Sequence, residues 1–366
     1  MKNPVIFFLV LFFGLACGKS ENHISQPAPG PATIKDTVLV SNLDIPWEIL
    51  WGPDNFIWMT QRGGSISRVN PSNGEVSLLL NVSETVSNNE GGMLGMVLHP
   101  DFNANPFLFV AYDYNQGGAY KGKIVRYNYH GGALINPTVL LDNIQASSIH
   151  NGCRLLISPD LKLYITTGDA SNQANPQDTN SVNGKILRIN LDGSIPSDNP
   201  FPGNPLWSYG HRNPQGLVMV NGKLFSSEHG PDTDDEINII QKGRNYGWPD
   251  VRGFCDLTAE QSFCQAHQVV EPIQAWTPTI APSGLDYYNK DQIPQWKNSL
   301  LLCTLKDARL IRLQLDDAQE KIISTQEFFV NKYGRMRDVC ISPAGEVYVC
   351  TSNGSQGDKL IRIFAQ

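Results

Sequence analysis

One pattern of apolar and polar residues recurs six times along the chain. Each copy has a tight turn built from Pro, Asp, Asn or Gly, followed by a short strand in which apolar residues alternate or run together. Turn residues followed by such strands are the signal of a β-hairpin. The turns lie roughly 45 to 75 residues apart and precede the strands IWMTQ, FLFVAY, LYITTGD, LFSSEHG, LLLCTL and VYVCTS.

Repeats of this length made of short strands are typical of propeller blades. Six copies therefore predict an all-β fold, a six-bladed β-propeller, and a β-sandwich or two unrelated β domains remain as alternatives. A propeller ring closes by pairing strands from both ends of the chain, for which residues 37–41 (TVLVS) and 360–364 (LIRIF) are the candidates. Closure removes exposed strand edges. The residues directly after the repeated strands are then expected to build the functional site.

Composition agrees with a single large β domain. The chain has 366 residues, of which 41% are hydrophobic and 17% charged, with 32 Gly and 24 Pro. Length alone suggests two domains, but all-β propellers of this size fold as one unit. The net charge of −7 and the lack of a basic cluster argue against nucleic acid as a partner.

The first 34 residues differ from the rest. Lys2 followed by the apolar run at residues 5–15, which is too short to span a bilayer, predicts an export signal over residues 1–17. Residues 18–34 are polar and Pro-rich and predict a flexible tether, and residues 35–366 are assigned to the propeller. The sequence around Cys17 resembles a bacterial lipobox, so Cys17 is either lipidated or part of an ordinary cleaved signal. Both interpretations predict export to the periplasm or the outer surface.

Export permits disulfides among the six remaining cysteines. Cys255 and Cys264 lie in one loop-like segment and form the favoured pair. Cys340 and Cys350 fall in adjacent predicted strands, where they either pair or remain buried thiols.

Residues 210–249 concentrate the chemistry of the chain. They contain GHRNPQG, EHGPDTDDEIN and NYGWP. Gly and Pro fix the backbone so that its carbonyls can be aimed, and carbonyls with carboxylates suit a hard cation such as Ca²⁺. A solvated acidic loop is the alternative for residues 232–236. The sixth and twelfth positions from Asp232 are Ile237 and Gly243 instead of the Gly and Glu of an EF-hand loop, which argues against an EF-hand.

A histidine and a carboxylate follow neighbouring predicted strands of one blade. His150 precedes the strand at residues 154–157, and Asp169 ends the next strand in the sequence TGD. A carboxylate on one ring nitrogen of a His fixes the tautomer and leaves the other nitrogen as a general base. Taken alone, a loop His is more often structural or merely exposed.

The three motifs of residues 210–249, in this order and spacing, resemble the soluble quinoprotein glucose dehydrogenase and aldose sugar dehydrogenase family. The resemblance covers roughly residues 37–366. It implies a six-bladed propeller that uses pyrroloquinoline quinone (PQQ) and Ca²⁺. It also implies that His150 is the base, that Asp169 supports it, and that Arg212 lies near the quinone carbonyl that receives hydride.

The same resemblance assigns the remaining site residues. It implies a substrate-side role near the sugar for Glu90, where glucose dehydrogenase has Gln, and this departure leaves the sugar preference open. Backbone carbonyls of Gly230 and Pro231 are expected to hold the active-site Ca²⁺. Structural calcium positions are Asp235, Glu236, Tyr246 and Asp256. The cofactor-binding residues are expected to be Asn213, Thr279, Ala281, Lys306, Arg335 and Arg337.

The expected reaction is oxidation of an aldose at C1 to a lactone, with hydride passing to PQQ and electrons to an external acceptor, a quinone or a cytochrome. A membrane partner is expected only through a lipid on Cys17. A calcium-dependent propeller lactonase and a non-catalytic binding propeller are the alternatives. The lactonase has no need of the cations at Lys306, Arg335 and Arg337, and the binding module has no need of His150.

Overall fold

The protein is an all-β ring of six sheets, as the repeat predicts. The computed structural model describes residue 1 and residues 32–366, so the predicted export signal, Cys17 and most of the tether lie outside the described residues. The described part contains 24 strands in six four-stranded antiparallel sheets, each of which is one blade. This arrangement confirms the six-bladed β-propeller.

The first three blades follow the chain in order. Blade 1 consists of β2 (Pro46–Trp51), β3 (Ile57–Gln61), β4 (Ser65–Val69) and β5 (Val76–Asn81). Blade 2 consists of β6 (Met93–Leu98), β7 (Phe107–Gln116), β8 (Ala119–His130) and β9 (Ala133–Gln145). Blade 3 consists of β10 (Gly152–Ile157), β11 (Lys162–Thr167), β12 (Lys185–Asn190) and β13 (Leu206–Tyr209).

The last three blades complete the ring. Blade 4 consists of β14 (Pro214–Val220), β15 (Lys223–Glu228), β16 (Asp235–Ile240) and β17 (Gln274–Trp276). Blade 5 consists of β18 (Pro282–Tyr288), β19 (Ser299–Thr304), β20 (Leu310–Leu315) and β21 (Ile322–Phe328). Blade 6 consists of β22 (Met336–Ile341), β23 (Val347–Thr351), β24 (Asp358–Ala365) and β1 (Ile34–Leu43).

The ring closes in blade 6, where the first strand of the chain becomes the outermost strand. β1 pairs antiparallel with β24, in a register that places Thr37 opposite Arg362 and Val40 opposite Leu360. The two segments predicted to close the ring are therefore the ones that do so. The first strands of neighbouring blades (β2, β6, β10, β14, β18 and β22) contact one another around the ring and line a central channel.

The six predicted turns all join the first strand of a blade to its second strand. They lie together at one end of the channel, which we call the turn face. Each second strand runs back to the opposite end, which we call the site face. The residues after β11, β15, β19 and β23 therefore gather around the channel mouth at the site face, as the repeat predicts.

The core fills the spaces between blades. Trp58 and Met96 belong to one buried cluster that joins blades 1 and 2, and Leu301 and Val349 belong to another that joins blades 5 and 6. Burying such a side chain contributes about 1.5–3 kcal/mol. Packing between sheets thus fixes the positions of the first strands.

A register irregularity marks the site-face end of every first strand. Bulges bend a strand and re-aim its side chains, and they are frequent beside active sites. Just past the irregularity, three first strands carry charged residues and three carry glycine. The charged residues are Glu48, Arg154 and Asp338, and the glycines are Gly95, Gly216 and Gly284.

The three charged residues form an ion cluster inside the channel. The Nη1 atom of Arg154 lies 2.5 Å from Oε2 of Glu48 and 3.1 Å from Oδ2 of Asp338. Burial raises the pKa of both carboxyls, and the guanidinium opposes that rise. Gly284 makes room for this cluster, because a Cβ there would lie 1.8 Å from Oδ1 of Asp338.

The α-helix of the described part is α1 (Thr258–His267), in a loop between β16 and β17. Cys255 and Cys264 form a disulfide across its start, which confirms the favoured pair. Cys340 and Cys350 are buried free thiols, the second of the two outcomes left open by the sequence. No helix among residues 32–366 is long and apolar enough to cross a bilayer.

The glycine at the ion cluster yields a stability prediction. Gly284→Ala is expected to lower the free energy of unfolding by about 1–3 kcal/mol or more, because the added methyl group has no space beside Asp338. Gly63→Ala is the matched control, since a Cβ there meets nothing within 4 Å, and its effect should stay within about 0.5 kcal/mol. Urea unfolding of both variants measures the difference, and equal stabilities would contradict the packing account.

Candidate active site

A cavity of about 550 Å³ opens at the site face of the channel. Its inner end is formed by residues of the first strands directly above the ion cluster, including Trp47, Gln215 and Arg337. Trp47 stacks on the guanidinium of Arg154, 4.4 Å from the ring centroid, so the cavity rests on the cluster. The cavity is also lined by Arg62, Glu90, His229, Ala281, Leu305 and Arg335.

His150 and Asp169 meet beside this cavity. The Nδ1 atom of His150 lies 2.9 Å from Oδ1 of Asp169, as expected for neighbouring strands β10 and β11. His150 has φ 61°, and a Cβ on Gly168 would lie 1.9 Å from its carbonyl oxygen, so the glycine of TGD permits the close approach. Because Nδ1 is held by the carboxylate, Nε2 is left to exchange a proton with a ligand.

Asp169 is almost completely buried and its carboxylate has two further donors. The indole Nε1–H of Trp248 donates to Oδ2 at 2.9 Å, and the Ser171 N–H donates to Oδ1 at 2.8 Å. The carboxylate is therefore fixed on both oxygens. This arrangement orients the imidazole of His150 without a flexible element.

Glu90 reaches the same site from the loop between β5 and β6. Its Oε2 accepts a hydrogen bond from the His150 N–H at 3.0 Å, and its own N–H donates to the Ser148 carbonyl at 2.9 Å. Glu90 lines the cavity, so its carboxylate can accept a hydrogen bond from a hydroxyl group of a ligand that lies beside His150.

Arg212 lies next to the His150–Asp169 pair, and its guanidinium uses only part of its hydrogen-bonding capacity. Its Nη1 donates to the His229 carbonyl at 3.3 Å, and its guanidinium carbon lies 5.3 Å from the ring centroid of Trp248. Burial lowers its pKa from the usual value, although nearby carboxylates oppose that shift. Within residues 32–366 its buried Nε atom has no hydrogen-bond partner.

Asn213 and Arg337 are joined through Gln215. The Oδ1 atom of Asn213 accepts from Gly152 N–H at 3.1 Å and from the Gln215 amide at 3.0 Å, while Gln215 Oε1 accepts from Arg337 Nη1 at 3.0 Å. The Nδ2 atom of Asn213 and the Nε atom of Arg337 are buried and have no partner in the described chain. Burial lowers the pKa of Arg337 to about 10, and the charge of Arg335 adds to this shift.

The other predicted cofactor residues lie at the cavity rim. Lys306 donates from Nζ to the hydroxyl of Thr279 at 2.7 Å, and Leu305 N–H donates to the carbonyl of Ala281. Arg335 is exposed, and its Nε donates to the Ser352 carbonyl at 3.1 Å. Ala281, Arg335 and Arg337 line the cavity itself, whereas Lys306 and Thr279 stand beside it.

The predicted metal residues divide into two groups. Gly230 and Pro231 line a small second pocket together with Glu228, Glu236 and Tyr246. Burial raises the pKa of Glu236 to about 8, and the neighbouring Glu228 carboxylate adds to that rise. Arg212 and Arg252 line the same pocket, and the Glu228 carboxylate is already engaged by His211 Nδ1 and by the Arg212 N–H. Glu236 and the two carbonyls are the oxygen groups that the pocket offers to a cation. Among the described residues, however, no group of three or more His, Cys, Asp and Glu side chains is placed to hold a metal.

Asp235 and Asp256 lie outside this pocket. The Asp235 carboxylate accepts three backbone N–H bonds, from Gly230 at 2.7 Å, Ile280 at 2.6 Å and Ala281 at 2.7 Å. It thus fastens the Gly230 loop to the Ala281 loop. Asp256 is exposed beside the disulfide. The calcium roles of both residues stay predictions.

Tyr246 contributes no free hydroxyl to the pocket, since its O–H donates to the Ile239 carbonyl at 2.7 Å and accepts from Gln241 N–H at 2.7 Å. Only the backbone carbonyl of Tyr246 remains for a cation. The metal role of this residue also stays a prediction.

Sequence reasoning missed four residues of the site: Arg62, Gln215, Glu228 and Trp248. Gln215, Glu228 and Trp248 stand inside the three motifs, but nothing in a motif shows which side chain its members touch. Gln215 meets Arg337, which is 122 positions away. Arg62 follows a second strand, the position from which the repeat predicts site residues.

Comparison with known proteins gives the family. The Glucose / Sorbosone dehydrogenase family model matches residues 43–362. The chain is 35% identical to quinoprotein glucose dehydrogenase B of Acinetobacter calcoaceticus, over 88% of this chain and 86% of the relative. It is 32% identical to aldose sugar dehydrogenase YliI of Escherichia coli strain K12, over 89% of this chain and 92% of the relative.

Solved structures agree with these relatives. The PQQ-bound form of aldose sugar dehydrogenase from Streptomyces coelicolor superposes with a TM-score of 0.78 at 31% identity, covering 92% of this chain and 99% of that one. The apo-form of the soluble aldose sugar dehydrogenase from Escherichia coli gives a TM-score of 0.80 at 28% identity, covering 91% of this chain and all of the other. With the family model, the relatives and the propeller in agreement, this chain belongs to the glucose/sorbosone dehydrogenase family.

Proposed function

We propose that this protein oxidises aldose sugars at C1 to lactones, with PQQ as the bound hydride acceptor and Ca²⁺ beside it. The observation that carries the proposal is a cavity lined by the Glu90 carboxylate and by the cations Arg335 and Arg337, with the His150–Asp169 pair and Arg212 directly beside it. Membership of a dehydrogenase family supports an oxidoreductase, and the relatives named above support the quinone and the aldose.

The residues around the cavity fit a PQQ molecule. PQQ is a quinone with three carboxylates, and it needs several charged donors. The buried donors without partners in residues 32–366 include Nε of Arg212, Nδ2 of Asn213 and Nε of Arg337. Lys306 and Arg335 add positive charge at the rim. We infer that these residues hold the cofactor, with Thr279 and Ala281 at its edge.

When bound, PQQ would supply the two-electron acceptor that no side chain provides. The chain's own residues would do the rest. His150 Nε2 takes the proton of the anomeric hydroxyl, and Asp169 stabilises the resulting imidazolium through Nδ1. Glu90 binds a sugar hydroxyl next to that proton. Arg212 places a permanent positive charge where negative charge develops on the acceptor.

We propose the pocket at Gly230 and Pro231 as the calcium site. In the described chain, neither carbonyl accepts a hydrogen bond, so both are available to a cation. Glu236 lines the same pocket, and its oxygens otherwise accept from Gly253 N–H at 2.9 Å and from the Asn238 amide at 2.8 Å. Oxygen ligands of this kind match the preference of Ca²⁺.

Export and the electron acceptor complete the proposal. We propose that the protein is exported, with a lipid on Cys17 as its membrane anchor. The cavity opens at the site face, where a sugar and a quinone or cytochrome that takes the electrons can reach it.

The base assignment predicts a loss of turnover without a loss of cofactor. His150→Gln should lower kcat by about 10²–10⁴-fold, the usual contribution of a general base, with PQQ affinity changed little. His130→Gln, at the exposed end of β8, is the control and should keep full activity. Dye reduction with an aldose and equilibrium titration of PQQ measure the two quantities. A fully active His150→Gln enzyme would remove His150 from the mechanism.

The cations should contribute to PQQ affinity in proportion to their burial. Arg337→Gln should weaken binding roughly tenfold to a hundredfold, because a buried charge-assisted hydrogen bond is worth about 1.5–3 kcal/mol. Lys306→Gln should weaken it by less than about fivefold, since exposed charges are screened. Lys321→Gln, on the exposed surface, serves as the control for net charge. Equal effects of all three substitutions would contradict a cofactor at the cavity floor.

The calcium site predicts a cation-specific stabilisation. Millimolar Ca²⁺ should raise the melting temperature of the cofactor-free protein more than Mg²⁺ does, because ligand binding to the folded state stabilises it. Glu236→Gln should remove most of that increase. Asp232→Asn makes the same charge change on a residue that does not line the pocket, and it should keep the response. An unchanged response in Glu236→Gln would place the cation elsewhere.

A further inference from the structure

Trp248 stands between the two halves of the catalytic machinery. Its indole N–H donates to Asp169 Oδ2 at 2.9 Å, and its ring lies 5.3 Å from the guanidinium carbon of Arg212. Asp169 and Arg212 are also neighbours through the backbone, because Asp169 N–H donates to the Arg212 carbonyl at 2.8 Å. The anionic side chain of Asp169 and the cationic side chain of Arg212 therefore come from neighbouring backbone positions, and the indole of Trp248 contacts both.

Opposite charges at such positions would ordinarily pair. At a separation of about 4 Å their attraction is several times the thermal energy near a protein surface. Yet within residues 32–366 Asp169 and Arg212 form no ion pair. The carboxylate points to His150, and the guanidinium points to the carbonyl of His229 at 3.3 Å.

The indole is held rigidly in this place. Trp248 is 5% exposed. The backbone N–H of Trp248 donates to the Gly210 carbonyl at 3.0 Å, and the backbone carbonyl of Trp248 accepts from Gln177 Nε2 at 2.7 Å. Gln177 in turn exchanges two hydrogen bonds with the side chain of Asn245. A Cβ on Gly210 would lie 2.1 Å from Asn245 Oδ1, so the glycine of GHRNPQG is required for this packing.

We propose that Trp248 is a positioning residue that keeps the guanidinium of Arg212 off the carboxylate of Asp169. The indole N–H occupies the carboxylate oxygen that Arg212 would otherwise take, and the ring occupies the path between them. The Asp169 carboxylate then stays paired with His150, and the Arg212 guanidinium stays available to a ligand beside the His150–Asp169 pair. The inference rests on the roles proposed above for His150 and Arg212.

The substitution that isolates this role is Trp248→Phe, which keeps an aromatic ring and removes the N–H. Arg212 is then expected to pair with Asp169. The carboxylate would be neutralised and a positive charge would approach His150, so the pKa of the imidazole should fall. The other charged or titratable groups that face these side chains are all kept in the variant. They are Glu90 and His229 near His150, Glu228 and Asp235 near Arg212, and Arg252, whose guanidinium carbon lies 5.9 Å from the ring centroid of Trp248.

The pKa of His150 is measured by NMR titration of the cofactor-free protein, which needs no activity. In Trp248→Phe we expect a lower His150 pKa and, after loading with PQQ, a kcat that falls roughly tenfold to a hundredfold with a smaller change in KM. Trp207→Phe is the matched control, because Trp207 is a half-buried tryptophan that also packs on an arginine, Arg188, away from the cavity. It should leave both quantities unchanged, and melting temperatures show whether each variant folds.

A second pair of variants tests whether the Arg212 guanidinium causes the change in the His150 pKa. In an Arg212→Met background no guanidinium can move in, so Trp248→Phe should raise the His150 pKa, since the carboxylate has lost a donor and attracts the imidazolium more strongly. A fall in the Arg212 background and a rise in the Met background support the proposal. A rise or no change in the Arg212 background overturns it, and so does a fall in both backgrounds, because a shift that persists without the guanidinium cannot come from Arg212. These pKa values are obtained even if His150→Gln proves active, so failure of this inference and failure of the proposed function remain separate results.

Discussion

The buried ion cluster of Glu48, Arg154 and Asp338 is the interaction on which the site depends. It crosses the channel from blades 1, 3 and 6, and Gly284 of blade 5 leaves room beside the Asp338 carboxylate. A buried ion group is costly unless its geometry is good, and removing one partner costs more than the pair contributes. The cluster therefore constrains three first strands at once.

This constraint passes directly to the cavity. Arg154 stacks on Trp47 and donates from Nε to the Gln215 carbonyl at 2.8 Å, and Gln215 holds both Asn213 and Arg337. Above that level the site is organised by keeping charges separate. The carboxylates of Glu90 and Asp169 are directed to His150, while the cations keep donors free for an anionic ligand. The lower layer lies on the first strands, which hold positions more precisely than loops do. The upper layer consists of loop residues that are fixed by their hydrogen bonds to one another.

The sequence predicted much of this arrangement, because the fold is a repeat. Six turns and two closing segments were enough to define the ring and the end at which the site lies. Proximity of His150 and Asp169 followed from adjacent strands of one blade. The ion cluster was not predictable, since Glu48 and Asp338 are 290 positions apart in the sequence and meet only because the ring closes.

Other features of the site depend on packing that a motif does not display. Asp235 reads as a metal ligand by resemblance, but its carboxylate is used by three backbone N–H groups of two loops. The sequence predicts that Trp248 is part of a turn. Its proposed role follows only from the position of its indole N–H beside Asp169. Asp256 lies between the two cysteines of the disulfide and is exposed, so its surroundings depend on that local loop.

Reconstitution with cofactor and metal distinguishes PQQ-dependent sugar oxidation from the alternative functions. The mature protein is purified without cofactor, PQQ and Ca²⁺ are added singly and together, and dye reduction is followed with a panel of aldoses while the product is identified. We expect activity only when PQQ and Ca²⁺ are both present, with a lactone as the product. The ranking of the aldoses would define the sugar preference that Glu90 leaves open. No activity with any aldose, with no quinone absorbance retained after desalting, would contradict the proposed function and would direct attention to lactones as substrates.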